Sequence, residues 1–193
     1  EIILDKNFSI THIGLMNADR NHPFLWKVLA KLSAENEAFK NDLEIKLIGK
    51  VDESVLRSIQ EFGLYPNLNL IKYLPHDEVL KNQLTSQVLL LSINNVPAAK
   101  GIITGKVFEY LEAKRPIIAI APTDGDLAAI LDKTNAGKVI NFEDEITLKS
   151  VIETYYYDYQ QNNLQIKSSN YQQYHRKNLT LQLSELIKKC VKQ

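Results

Sequence analysis

A short polar segment, residues 101–116, combines the residue types that a protein needs to bind an anion such as a phosphate. It follows a buried apolar strand and leads into a helix, so the backbone N–H groups of Ile103, Thr104 and Gly105 are expected to point beyond the helix N-terminus. The helix dipole favours negative charge at that point, and Lys106 adds a cation. We predict a phosphate site here, with an ordinary strand–loop–helix connection and a solvated Lys106 as the alternative.

Two further residues of this segment bear on the kind of anion. Gly101, like Gly105, has no side chain that would hold a phosphate away from the backbone. Glu109 lies one helical turn after Gly105, where its carboxylate would suit the vicinal hydroxyls of a ribose. The spacing of glycine and lysine is not that of a Walker A motif, and no G-x-G-x-x-G is present, so nothing specific indicates a nicotinamide or flavin cofactor.

Alternating apolar strands and amphipathic helices must position this segment, and they predict the fold. Strands are expected at residues 9–15, 44–48, 69–73, 88–91, 117–120 and 138–140, with helices between them. In the helix that follows Pro75, Leu80 and Leu84 are expected to face the core. Such alternation is typical of parallel strands joined by crossover helices. We therefore predict the α/β class, with a Rossmann-like doubly wound parallel sheet whose ligand site lies beyond the carboxyl ends of the strands.

The composition changes near residue 146, which predicts a division into two parts. Residues 1–145 are expected to form the Rossmann-like domain, and residues 146–193 a helical extension that packs on it. The extension begins with a tyrosine cluster: Tyr155, Tyr156, Tyr157 and Tyr159. A tyrosine combines a large apolar ring with a polar tip, so packing on neighbouring elements is favoured over stacking on a ligand.

Charge, cysteine content and hydropathy argue against several classes of protein. Lys and Arg together number 23, as do Asp and Glu, and this balance argues against a nucleic-acid partner. Cys190 is the only cysteine, so neither an intrachain disulfide nor a cysteine metal cluster is expected. No apolar run reaches the length of a membrane span, and no signal peptide is visible, which predicts a cytoplasmic protein. Because the sequence begins without Met and with an apolar stretch at residues 2–4, we expect a piece of a longer protein.

Several segments, in order along the chain, resemble the C-terminal domain of the family-4 retaining glycosyltransferases, which have the GT-B fold. These segments are Ile13-Gly14-Leu15-Met16 followed by Arg20-Asn21, then Leu47-Ile48-Gly49, Gly101 to Arg115 with its Gly-Lys-Val-Phe-Glu-Tyr-Leu core, and Pro116-Ile-Ile-Ala119 followed by Ala136-Gly137. The resemblance covers about residues 9–145 and depends on the ordered set rather than on any one motif. It implies one half of a GT-B fold.

The resemblance also implies a role for each candidate residue. Glu109 matches the glutamate that holds the ribose of the donor nucleotide, and Ile103, Thr104 and Gly105 match backbone amides that contact its diphosphate. Gly14 and Gly101 fall within the same donor-binding segments. Arg20 aligns with a lysine that neutralises the diphosphate as it leaves, and we assign Lys106 to the same catalytic task. No metal ion and no cofactor are implied.

Two positions depart from the family pattern. Leu15 stands where the family has an arginine after the first glycine, so one diphosphate-binding cation is missing. Gly101 stands where the first glutamate of the family's pair is expected, eight residues before Glu109. That glutamate contacts the donor sugar, so the identity of the sugar stays open.

The expected function is that of the donor-binding half of a glycosyltransferase, which transfers a sugar with retention from a nucleoside diphosphate sugar to a glycan or lipid-linked acceptor. Its expected partners are that donor and an N-terminal GT-B domain of the same full-length chain, with peripheral membrane association of the full-length enzyme left open. Two alternatives stand beside it. One is half of a GT-B sugar-nucleotide epimerase, and the other is a non-catalytic module that binds a nucleotide or a protein.

Overall fold

The computed structural model describes residues 2–166 and 168–191, and over these residues six parallel strands form one sheet in the order β3-β2-β1-β4-β5-β6. The strands are β1 (Phe8–Ile13), β2 (Leu43–Ile48), β3 (Leu68–Ile71), β4 (Val88–Ser92), β5 (Ile117–Ile120) and β6 (Gly137–Ile140). The helices are α1 (Pro23–Glu35), α2 (Glu37–Asp42), α3 (Glu53–Glu61), α4 (His76–Thr85), α5 (Lys106–Ala113), α6 (Asp126–Thr134), α7 (Glu145–Gln160) and α8 (Arg176–Val191). The prediction of a Rossmann-like doubly wound parallel sheet is confirmed.

Two apolar clusters, one on each face of the sheet, hold the helices in place. On one face, α1, α2, α3 and α7 cover the sheet around Phe8, Leu29 and Ile152. On the other face, α5 and α6 pack against β4 and β5 around Val107 and Leu131. The central strands β1 and β4 are buried along their whole length, because they are covered on both faces.

Some predicted boundaries and one predicted core residue differ from the structure. β1 ends at Ile13 rather than at residue 15, because Gly14 turns the chain with a φ of +103°. The short helix α2 was not predicted. Leu80 was expected to face the core, but it is 38% exposed, and Gln83 is the buried residue of α4.

The two C-terminal helices differ in how they pack. α7 buries Leu148, Ile152 and Tyr156, and the Tyr156 hydroxyl donates a 2.7 Å hydrogen bond to Asp42. The Tyr156 ring packs edge-on against Phe8 and Phe39, so this member of the tyrosine cluster is part of the core. α8 has no buried residue. No helix in the described ranges is long and apolar enough to cross a membrane.

Replacing Gly137 by alanine is expected to destabilise the protein by more than about 2 kcal/mol, because overpacking of a rigid core costs that order of free energy. A Cβ atom on Gly137 would lie 2.0 Å from the carbonyl oxygen of Ile117 on β5, and backbone of the central sheet cannot give way. The matched control is Gly101→Ala, since a Cβ there has no atom within 4 Å. Urea unfolding of both variants measures the difference, and equal midpoints would contradict this account of Gly137.

Candidate functional site

The strand order places a crevice between β1 and β4 at the carboxyl edge of the sheet. From β1 the chain continues to β2 on one side, and from β4 it continues to β5 on the other side. Such a switch point is where open α/β sheets bind their ligands. The ladder between β1 and β4 pairs Ile10 with Val88 and Thr11 with Leu89, so the two strands separate after Thr11.

Two buried side chains bond to the backbone groups left unpaired where β1 and β4 separate. His12 Nδ1–H donates to the carbonyl oxygen of Leu90 at 3.2 Å, and the Tyr110 hydroxyl accepts the N–H of Ile13 at 3.2 Å. Burial, together with the nearby charge of Lys106, lowers the pKa of His12 to about 3. His12 is therefore neutral at physiological pH and acts as a structural donor.

The turn after β1 brings Gly14 and Lys106 together. Lys106 Nζ donates to the carbonyl oxygen of Ile13 at 2.7 Å. A Cβ atom on Gly14 would lie only 3.1 Å from Lys106 Nζ, and its φ of +103° disfavours any other residue. The Gly14 turn is therefore packed closely against the lysine, with no room for a side chain at this position.

Arg20 is held between the loops that follow β1 and β4. It ends a short 3-10 helix, Ala18–Arg20, and its Nε donates to Asn94 Oδ1 at 2.7 Å. Its Nη1 donates to the carbonyl oxygen of Leu15 at 2.8 Å, and its own carbonyl accepts the Ser92 hydroxyl at 3.0 Å. The guanidinium is thus positioned at the carboxyl edge and not free in solvent.

Lys106 and Arg20 lie close enough to affect each other's charge. Burial and, to a smaller extent, the positive charge of Arg20 lower the pKa of Lys106 to about 8, against the opposing effect of the Glu109 carboxylate. Two cations held near each other in partly buried positions are a receptive arrangement for a polyanion, because an anion between them relieves their repulsion.

The N-terminus of α5 presents backbone donors beside these cations. Gly105 caps the helix without a side-chain hydrogen bond. Within residues 2–166 and 168–191, no acceptor is found for the N–H groups of Ile103, Thr104 and Gly105, whereas the next amides bond back to Thr104 and Gly105. The three amides that precede this eight-residue helix are therefore unpaired, and their contact with a ligand stays a prediction.

Glu109 and Gly101 lie on either side of this helix N-terminus. Glu109 projects toward α4, where its Oε2 accepts a 2.8 Å hydrogen bond from the buried Gln83. Gly101 is exposed at the end of a 3-10 helix, Ala99–Gly101, and the preceding Lys100 forms a 2.6 Å ion pair with Asp124. The ligand roles of both residues stay predictions.

The structure adds residues that sequence reasoning missed. Tyr110 and Gln83 each bond to a part of the site, and each comes from an element distant in sequence from its partner. His22 stands at the N-cap position of α1, is 3% exposed, and its Nε2–H donates to the carbonyl oxygen of Ile93. Burial lowers the pKa of His22 to about 4, so it too is neutral.

Other features of the chain lie apart from this site. A cavity of about 860 Å³ opens at the amino ends of the strands, where Asp5, Arg115 and Tyr159 line it. The residues predicted from the sequence are not among its lining. Among the described residues, no group of three or more His, Cys, Asp or Glu side chains is placed to hold a metal ion.

Comparisons with known proteins place the fold. No protein-family model matches the sequence, and no curated protein matches it significantly. Among solved structures, sucrose-phosphate synthase from Thermosynechococcus elongatus is similar over 96% of this chain and 46% of its own, with a TM-score of 0.71 and 14% identity. HepE from Anabaena, solved in complex with UDP-glucose, matches 82% of this chain and 42% of its own, with a TM-score of 0.62 and 14% identity. The C-terminal domain of a glycosyl transferase group 1 family protein, LpcC, from Francisella tularensis matches 84% of this chain and 81% of that domain, with a TM-score of 0.59 and 13% identity.

These matches define the class of fold. The structural neighbours include GT-B glycosyltransferases of the group 1 type, and one of them is an isolated C-terminal domain. The chain spans less than half the length of sucrose-phosphate synthase and of HepE. The fold is therefore that of one half of a GT-B glycosyltransferase, as the resemblance in the sequence implied.

Proposed function

We propose that this chain is the donor-binding half of a retaining glycosyltransferase and that it binds a nucleoside diphosphate sugar at the carboxyl edge between β1 and β4. One observation carries the proposal: Lys106 lies against the Gly14 turn within reach of the charge of Arg20, and the unpaired amides of residues 103–105 directly precede it at the start of α5. A diphosphate is the ligand whose charge and size suit two cations and a helix N-terminus together.

In the proposed reaction, these groups stabilise the departing nucleoside diphosphate. Negative charge grows on the diphosphate as the bond to the sugar breaks, and fixed cations and helix amides stabilise that charge. This chain's residues supply that stabilisation with no metal ion and no cofactor. Retention of configuration is proposed from the resemblance to family 4 alone.

The acceptor belongs to another part of the proposed enzyme. An N-terminal GT-B domain of the same full-length chain would bind a glycan or lipid-linked acceptor and close over the donor. This chain matches less than half of sucrose-phosphate synthase and of HepE, which supports this division. We place the full-length enzyme in the cytoplasm, where peripheral membrane association would suit a lipid-linked acceptor.

Replacing Glu109 by alanine is expected to weaken UDP or GDP binding about tenfold and to leave pyrophosphate binding within about twofold, because a hydrogen bond between a charged and a neutral group contributes about 1.5–3 kcal/mol. The ribose hydroxyls are present in the nucleotides and absent from pyrophosphate. Isothermal titration calorimetry on the wild-type chain and the variant measures both affinities.

Glu112→Ala is the matched control, since this exposed glutamate on the same helix pairs with His175 instead. If the wild-type chain binds neither UDP nor GDP, the proposed function is wrong. If it binds one of them and Glu109→Ala changes nothing, only the ribose assignment fails.

A further inference from the structure

Tyr110 connects the two backbone segments that form the proposed donor site. It belongs to α5, whose N-terminus supplies the free amides, and its hydroxyl reaches the N–H of Ile13 at the end of β1. The residue is fully buried, and burial raises the pKa of its hydroxyl, so the group stays neutral. The bond therefore links α5 directly to the residue before the Gly14 turn.

Lys106, also on α5, forms a second hydrogen bond to Ile13. Lys106 and Tyr110 are four residues apart, which places them on one face of α5, one turn above the other. Lys106 donates to the carbonyl oxygen of Ile13 at 2.7 Å, and the Tyr110 hydroxyl accepts the N–H of Ile13 at 3.2 Å. Both backbone polar groups of Ile13 are thus bonded by α5 at the point where β4 no longer pairs with β1.

The hydroxyl is not needed for packing. The Tyr110 ring lies in the apolar cluster between the sheet and α5 and α6, among Leu91, Val107 and Leu127, where a phenylalanine ring would fill the same space. What the oxygen adds is an acceptor for a buried N–H group, which would otherwise be left without a partner. The oxygen therefore acts on the position of β1 relative to α5.

We propose that Tyr110 is a positioning residue for donor binding: its hydroxyl fixes the spacing between the Gly14 turn and the N-terminal amides of α5. The inference rests on the proposed function, because these two segments are the ones that would contact the diphosphate. Without the hydroxyl, Ile13 loses one of its two bonds to α5, and the Gly14 turn then moves more freely relative to the N-terminus of α5.

Tyr110→Phe is expected to weaken UDP binding about 5- to 10-fold, because the ligand must then order a turn that the protein no longer holds. Tyr156→Phe is the matched control, since it removes the hydroxyl of another buried tyrosine, bonded to Asp42 rather than to the site. Calorimetry with UDP measures both variants. Equal weakening in the two variants would overturn the proposal, because general loss of stability would then explain it.

Amide hydrogen exchange of the free chain tests the contact without any ligand. In the wild type the N–H of Ile13 is expected to exchange slowly, and in Tyr110→Phe at least about tenfold faster, because its acceptor is gone. Fast exchange of the Ile13 N–H in the wild type overturns the proposed bond to the Tyr110 hydroxyl, even if the variant fails to fold. Faster exchange with unchanged UDP affinity overturns the positioning role and leaves a structural bond.

The proposed function and the role of Tyr110 fail in different ways. If the wild-type chain binds neither UDP nor GDP, the proposed function fails, and with it the role of Tyr110 toward a donor. If it binds one of them with the same affinity in Tyr110→Phe, only the inference about Tyr110 fails.

Discussion

Replacing Lys106 by methionine is expected to weaken binding of UDP or GDP by about 30-fold, because a charge-assisted contact with a phosphate contributes about 1.5–3 kcal/mol. Lys106 is half buried beside the Gly14 turn, where its ammonium group has little water to compete with a ligand. Methionine keeps the length and the apolar stem of the side chain, so the variant loses the ammonium group, with its charge and its bond to Ile13, and little packing. Calorimetry at pH 7 and constant ionic strength measures it.

Lys27→Met is the matched control for this experiment. Lys27 lies on α1, its side chain is 56% exposed, and it pairs with Glu145. Removing one surface cation changes the net charge by the same amount as removing Lys106 but leaves the crevice between β1 and β4 intact. A similar loss of affinity in both variants would show that bulk charge attracts the nucleotide, and the assignment of Lys106 would be wrong.

The fold could be predicted from the sequence because its signals are local. Each buried strand is a short apolar run, and each amphipathic helix shows its spacing within a few turns, as in the run from Leu25 to Leu32 on α1. Strand ends were less predictable. The pattern at Leu15 continues the apolar run, but Leu15 is 51% exposed, because the chain turns at Gly14 before reaching it.

The interior of α4 shows where periodicity failed. Leu80 was placed inside from its spacing, yet the residue that α4 buries is Gln83, whose amide finds the carboxylate of Glu109 on α5. A polar residue is buried when a partner satisfies it, and that partner belongs to a different element. The pattern of one helix holds no information about such a partner.

The candidate site was predictable only where its residues lie close together in the sequence. The glycines, the lysine and the free amides of the α5 N-terminus follow from a local segment, residues 101–106, and the structure leaves these amides unpaired. The proximity of Arg20 to Lys106 came only from the family resemblance, since 86 residues separate them in the sequence. Tyr110 lies 97 residues from Ile13, and no local pattern indicates that bond. The ligand roles of all these residues stay predictions.

UDP affinity is expected to fall about eightfold as the pH rises from 8 to 9.5, because tight binding above the pKa of Lys106 requires uptake of a proton and the neutral form is expected to bind about 30-fold less tightly. In the free chain, burial and the charge of Arg20 lower the pKa of Lys106 to about 8. A bound diphosphate favours the charged form and raises that pKa. Below pH 8 the ammonium group is already present, so affinity is nearly constant. Above pH 8, the protonated fraction of Lys106 in the free chain falls up to tenfold for each unit of pH.

The other groups around the crevice keep their charge over this range. The pKa of His12 is lowered to about 3 by burial, and that of His22 to about 4, so both are neutral throughout. The terminal phosphate of UDP has lost its last proton above about pH 7. The change in affinity can therefore be attributed to Lys106.

Lys106→Arg separates the charge from its titration. A guanidinium keeps its proton over the whole range, so this variant is expected to bind UDP with an affinity that varies less than about twofold between pH 8 and 9.5. Calorimetry in two buffers of different ionisation enthalpy also counts the protons taken up, about one per UDP in the wild type at pH 9 and none in the variant. A wild-type affinity that is flat with pH would mean that Lys106 keeps its bond to Ile13 when the ligand binds, and the diphosphate would then depend on Arg20 and the α5 amides alone.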